Sequence, residues 1–139
     1  MKKTVISLTS LALTLIFIFS LVSCGAPEDL WKTATHLEDA AFGEGATTVQ
    51  VEVKAKDKSV TFTIKTDKKT LGDALLEHDL IAGEEGAYGL YVKVVNGITA
   101  DYDVDQSYWS FYKNGEYMMT GVDVTEIANG EHYELVYTK

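Results

Sequence analysis

The residues that could do chemistry fall into a few groups, and type and spacing decide what each can do. Glu77, His78 and Asp79 stand side by side, and an acid next to an imidazole can relay a proton or hold a metal. Consecutive residues on a helix point in different directions, however, and His78 continues the spacing of Leu71 and Leu75. A partly buried structural histidine is the simpler reading. Asp101, Asp103 and Asp105 have the spacing of the first three ligands of a calcium loop. Such a loop needs glycine at its sixth position and an acidic bidentate ligand at its twelfth, where this chain has Gln106 and Tyr112. A solvated acidic loop is expected there, and no metal centre. No serine sits in a nucleophile elbow, no glycine pattern of a dinucleotide or phosphate loop occurs, and His36, His78 and His132 are scattered. No catalytic residue is assigned, and the chain is not expected to be an enzyme.

The aromatic residues are more suggestive. Six of the eight tyrosines, Tyr88, Tyr91, Tyr102, Tyr108, Tyr112 and Tyr117, lie between residues 88 and 119, with Trp109, Phe111, Met118 and Met119 among them. On a strand, Trp109 and Phe111 would share one face and Tyr108 and Tyr112 the other. The Trp–Phe face has the larger apolar payload and is expected to meet the core. The tyrosine face has two readings, a cross-strand aromatic ladder or a binding surface with rigid bodies and polar tips.

Cys24 is the chain's single cysteine, and its position gives it meaning. Lys2 and Lys3 precede an 18-residue, almost continuously apolar run from Val5 to Val22, which closes on Ser23 and Cys24. This pattern matches a bacterial lipoprotein signal covering residues 1–23, with Cys24 as the site of lipid attachment through acyl chains such as palmitate. A retained signal anchor and a plain secreted form are the competing readings. Cleavage would place the protein outside the cytoplasm, anchored by lipid to the outer face of the cytoplasmic membrane, because two or three acyl chains hold where one is marginal. With no second cysteine, disulfides and cysteine-based zinc sites are excluded.

Charge narrows the partners. The chain has 12 Lys and Arg against 21 Asp and Glu, a net charge of −9, and every one of its basic residues is lysine. Loss of Lys2 and Lys3 with the signal makes it more acidic still. No nucleic-acid partner is expected, since phosphate neutralisation needs a basic face and much base readout uses the planar arginine fork.

These groups must be positioned by a regular domain. Residues 24–46, rich in Gly, Ala, Thr and acids with isolated Trp31, Leu37 and Phe42, read as a lipidated tether, on which Trp31 either meets the membrane or docks on the domain. From residue 47 the periodicity sharpens. Val49, Val51 and Val53, then Val60, Phe62 and Ile64, alternate with polar residues across Lys56-Asp57-Lys58, which predicts a hairpin with one buried face. Thr70 with Asp73 three residues on opens a helix of two to three turns that carries Leu71, Ala74 and Leu75 and stops near Gly83. Leu90 to Val94 runs into Asn96-Gly97, residues 107–113 and 116–120 flank Asn114-Gly115, and Tyr133, Leu135 and Tyr137 share the face of a last strand. The order β-β-α-β-β-β-β describes an α+β, β-grasp-like domain over residues 47–139, one helix packed on a mixed sheet.

Thr70-Leu71-Gly72-Asp73-Ala74-Leu75, Asn96-Gly97, Ser107-Tyr108-Trp109 with Asn114-Gly115, Gly121, Gly130 and Tyr137 resemble a bacterial domain family related to the C-terminal domain of transcobalamin and intrinsic factor. The resemblance covers about residues 47–139 and implies a soluble-ligand-binding β-grasp fold. It also implies a cell-surface lipoprotein setting, typical of Gram-positive bacteria, and cobalamin or another corrinoid as a transported ligand rather than a resident cofactor. Carried over by position, it points to Tyr108, Trp109, Phe111, Tyr112 and Asn114 as ligand-binding residues. A single domain supplies only one wall of a corrin site, so an uptake transporter or a second copy is the implied partner. A cell-envelope module that meets a protein or glycan through its aromatic patch, with no small-molecule ligand, is the alternative.

Overall fold

The computed structural model describes residues 29–139, so the apolar run, Ser23 and Cys24 lie outside the described residues. A 3-10 turn (Leu30–Thr33) leads to β1 (Ala40–Phe42), β2 (Thr47–Ala55), β3 (Lys58–Thr66), α1 (Leu71–Leu76), β4 (Ile81–Gly86), β5 (Gly89–Val95) and β6 (Ile98–Thr99). A single helical turn, α2 (Tyr102–Asp105), then precedes β7 (Tyr108–Lys113), β8 (Glu116–Tyr117), a 3-10 turn (Val122–Val124) and β9 (His132–Thr138). Among the described residues, no helix is long and apolar enough to cross a membrane.

Alternation builds the first hairpin. β2 and β3 pair antiparallel in unbroken register from Thr47↔Thr66 to Ala55↔Lys58, which sets Val49, Val51 and Val53 opposite Ile64, Phe62 and Val60. All six are buried, none more than 4% exposed. A six-stranded sheet grows around this hairpin in the order β1-β3-β2-β9-β7-β8, with β1–β3 and β2–β9 parallel and the other pairs antiparallel. The second sheet is β4-β5-β6. Leu71, Ala74 and Leu75 of α1 join Tyr133 and Leu135 of β9 in the same core. The fold is thus a mixed α+β one, mostly strands, with two short helices.

The helix is shorter than its apolar spacing suggests. Thr70 caps it by accepting the Asp73 N–H on its hydroxyl (3.3 Å), but Asp79 turns left-handed (φ 55°). The Leu80 N–H then reaches back to the Leu75 carbonyl at 3.0 Å, a six-to-one closure that ends helices. The chain enters β4 instead of continuing to Gly83. β4 was not expected, because its burial runs from one buried residue to five exposed ones and it is held by backbone pairing to β5. The strand expected over residues 116–120 stops at Tyr117, and Met118 to Thr120 form a loop.

The segment ahead of residue 47 is not only a tether. Trp31 is 5% exposed, its indole N–H donates to the Ala55 carbonyl at 2.9 Å, and β1 pairs with β3. Asn96, 1% exposed, clamps the same segment by accepting the His36 N–H (2.9 Å) and donating to the His36 carbonyl (2.8 Å). The folded unit therefore includes the segment from Leu30 onward, ahead of the expected boundary, because the Trp31 indole and β1 both find partners on the sheet.

Candidate functional site

A cleft opens between β5 of the small sheet and β7–β8 of the large one. Its floor is made by Trp109 and Phe111 of β7 with Leu135 of β9, its facing wall by Leu90, Tyr91 and Val92, and its rim by the loop from Met118 to Val122, around about 250 Å³ of accessible space. Alternation on β7 aims Trp109 and Phe111 at the cleft side, where they are 8% and 7% exposed. The Trp109 indole N–H donates to the Lys93 carbonyl of β5 at 3.2 Å, tying the two sheets together. Phe111 stacks on Tyr133, with ring centroids 5.8 Å apart, and the Met118 N–H holds the rim to the Phe111 carbonyl at 2.9 Å. Beyond this hydrogen bond Met119 stands 89% exposed.

Polar chemistry at the edge comes from Asp123. One carboxylate oxygen accepts the Leu90 N–H at 3.0 Å, fixing the start of β5. The other is buried without a hydrogen-bond partner, beside Gly121, where an added Cβ would come within 2.8 Å of it. An orphaned acceptor of this kind costs about 1–3 kcal/mol, and the Asp123 side chain links the rim loop to β5 rather than lining the cleft.

The five residues expected to bind ligand divide. Trp109 and Phe111 come together on the cleft floor. Tyr108 faces away, in edge contact with Tyr102 at 6.4 Å, and Tyr112 packs on Tyr117 at 5.5 Å. Asn114 shapes the hairpin turn with a left-handed φ of 50°, and its side-chain oxygen accepts the His132 N–H at 3.1 Å. Trp109 faces the core side of β7, as its alternation with Tyr108 requires, and that same side lines the cleft under the rim. Leu90, Val92, Thr120 and Gly121 gave no sign in the sequence of lining a cleft, since they reach it through pairing between distant elements.

The other candidate clusters take structural roles. Asp101 caps α2 by accepting the Asp103 N–H at 3.1 Å. Asp105 accepts both the Ser107 hydroxyl and its N–H, which, with Lys139 nearby, hold its carboxyl below the ordinary range. The expected solvated loop is therefore one helical turn closed by Gln106 at φ 65°. The His78 Nε2 is buried without a hydrogen-bond partner, 3.9 Å from Glu77 and with its ring 5.5 Å from that of Phe42, while Asp79 serves the helix end. Side chains that could ligate a metal together are Glu52, His132 and Glu134, on the far face of the large sheet.

Comparison with known proteins places this geometry. A Ruminococcus gnavus ATCC 29149 protein proposed to bind metal is similar in structure, with a TM-score of 0.64 and 35% identity over 67% of this chain and 97% of that one. Haptocorrin in complex with Cbi is similar with a TM-score of 0.51 and 23% identity over 70% of this chain, which spans only 26% of haptocorrin's length. That likeness is one of fold. No curated protein matches the sequence. Residues 68–139 match the family described as "Domain of unknown function (DUF4430)". With just over half of its length matched, the chain belongs to the DUF4430 family.

Proposed function

We propose that the cleft between β5 and β7–β8 captures a small molecule with a broad apolar face and polar edges, a corrinoid being the first candidate, on a lipid-anchored binding protein rather than an enzyme. The cleft itself carries this reading. Trp109, Phe111 and Leu135 offer an apolar, polarisable floor under a rim that includes Met118. The fold shared with haptocorrin supports the choice of ligand. About 250 Å³ is below the range of sites that enclose a drug-sized ligand, so this domain would supply one wall and an uptake transporter or a second copy the other. Affinity should then be micromolar, about −8 kcal/mol.

Fluorescence tests this. Trp31 also emits, so the measurement uses Trp31→Phe, leaving Trp109 as the reporter. Cobalamin and its base-free precursor at about 100 μM, well above a micromolar Kd, should quench Trp109 after inner-filter correction and raise the melting temperature. Met118→Ala should weaken binding and Tyr108→Ala should leave it unchanged, because Tyr108 faces away. If neither corrinoid quenches nor stabilises, the second reading takes over. It rests on Tyr102, Tyr108 and Tyr117, which stand exposed and would meet an envelope protein or glycan.

A further inference from the structure

The outer face of the large sheet, across the core from the cleft, carries a cluster that the binding function above does not use. β2 and β9 run parallel in register, with Gln50 beside His132 and Glu52 beside Glu134. Alternate residues of a strand share a face, so Glu52, Lys54, His132 and Glu134 rise together from the middle of the sheet. His132 Nε2 lies 3.5 Å from Glu52 Oε1. One ligand atom each from Glu52, His132 and Glu134 lies within 4.8 Å of the other two.

This spacing is close to what a small divalent ion requires. Tetrahedral zinc with bonds of about 2.0–2.1 Å sets neighbouring ligand atoms about 3.3 Å apart. The His132–Glu52 pair nearly has that separation, and a turn of the Glu134 carboxylate supplies the third corner. The scaffold is firm, since β9 is paired on both sides and both backbone groups of His132 are bound to Asn114. A cation already occupies the position: Lys54 Nζ is 2.8 Å from Glu134 Oε2 and 3.7 Å from Glu52 Oε1. Lys54 is the most exposed of these three, at 38% of its side chain against 21% and 19% for the two glutamates, so it can swing into water and leave both carboxylates in place.

We propose that Glu52, His132 and Glu134 form a binding site for a divalent transition metal of the zinc class, with Lys54 as the resident cation that the ion displaces. Two carboxylates neutralise the ion's charge, and the imidazole selects zinc-like ions over calcium or magnesium, which take oxygen ligands. Three protein ligands on a solvent-facing surface leave the fourth position to water.

Zinc titration calorimetry of the full-length protein in detergent, after chelator treatment, tests this in a Cys24→Ser background that removes the one competing thiol. A single saturable site is expected. His132→Ala and Glu134→Gln should each weaken it at least tenfold, and Lys54→Gln should tighten it several-fold. Cobalt should replace zinc and give the intense visible absorption of a tetrahedral site, lost in His132→Ala. Circular dichroism melting checks that each variant is folded, and Glu52→Gln supplies a third ligand deletion should one of the others fail to fold. Saturable binding that survives the ligand deletions would overturn the site, as would the absence of saturable heat at about 1 mM zinc in both the parent and Lys54→Gln. Neither result bears on corrinoid quenching of Trp109, which lies on the opposite side of the sheet.

Discussion

Single residues on β9 and its approach set how the protein responds to pH. Tyr133 is fully buried, and its hydroxyl donates to Glu131 at 3.0 Å. Burial first, and the Glu131 carboxylate second, hold the phenol well above its ordinary pKa. For Glu131, burial opposes ionisation, but the Lys113 ammonium, the Tyr133 hydroxyl and the Ala128 N–H outweigh it and keep the carboxyl low. The folded state thus favours a neutral Tyr133, whose unfolded counterpart ionises near pH 10. The resulting stability is present below about pH 10 and is lost as pH rises toward the raised folded value. Tyr133→Phe should cost about 1.5–3 kcal/mol at pH 7, the worth of a hydrogen bond to a charged group, and should shrink the alkaline loss. Urea unfolding between about pH 7 and 11 measures both, and an alkaline loss of unchanged size in Tyr133→Phe would falsify the assignment. On the acid side, the lowered Glu131 and Asp105 give stability that is present above about pH 4 and disappears as pH falls through their folded values.

At the scale of elements, the sequence was readable where periodicity and burial agree and silent where pairing alone decides. β2 and β3 were legible because every second side chain is buried, and the Trp109–Phe111 side of β7 because its two large apolar residues alternate in the sequence, although Ser110 between them is buried as well. β4 was not, since Gly83 to Gly86 expose their surface and the strand exists through backbone bonds to β5. Gly83 shows how close that approach is: a Cβ there would fall 1.9 Å from the Tyr91 carbonyl. The cluster of Glu52, His132 and Glu134 was equally hidden, because some 80 residues separate its halves and only the β2–β9 register unites them. Trp31 looked like a tether residue because its partner, the Ala55 carbonyl, is 24 residues away. Trp31→Ala should cost about 3–5 kcal/mol, the penalty for a fully buried large aromatic. Chemical denaturation followed by far-ultraviolet circular dichroism reads this, and a loss under about 1 kcal/mol would return the segment to the status of a linker.

For the whole molecule, the early start of the fold brings the domain close to its proposed anchor. Six residue steps separate Cys24 from Leu30, a reach of at most about 21 Å at roughly 3.5 Å per extended residue. A protein lipidated at Cys24 would therefore hold the domain against the membrane surface rather than across the cell wall. Cys24→Ala should leave a larger, unprocessed precursor on a gel, whereas mass spectrometry of membrane-extracted protein that finds an unmodified Cys24 or an intact residue 1–23 segment would remove the anchor. One feature of the large sheet bears on how such a protein would cross that membrane. β9 is the last strand in sequence but lies between β2 and β7, so the β1-β3-β2 half and the β7-β8 half have no direct pairing with each other. Until residues 132–138 are available, the central ladder cannot form, and its β2–β9 contacts join residues some 80 positions apart. Long-range closure of this kind is slow. If the chain is exported as the proposed lipoprotein, a chain still being threaded through a secretion channel would be kept from completing this sheet too early, since β9 would leave the channel after both of the strands it joins.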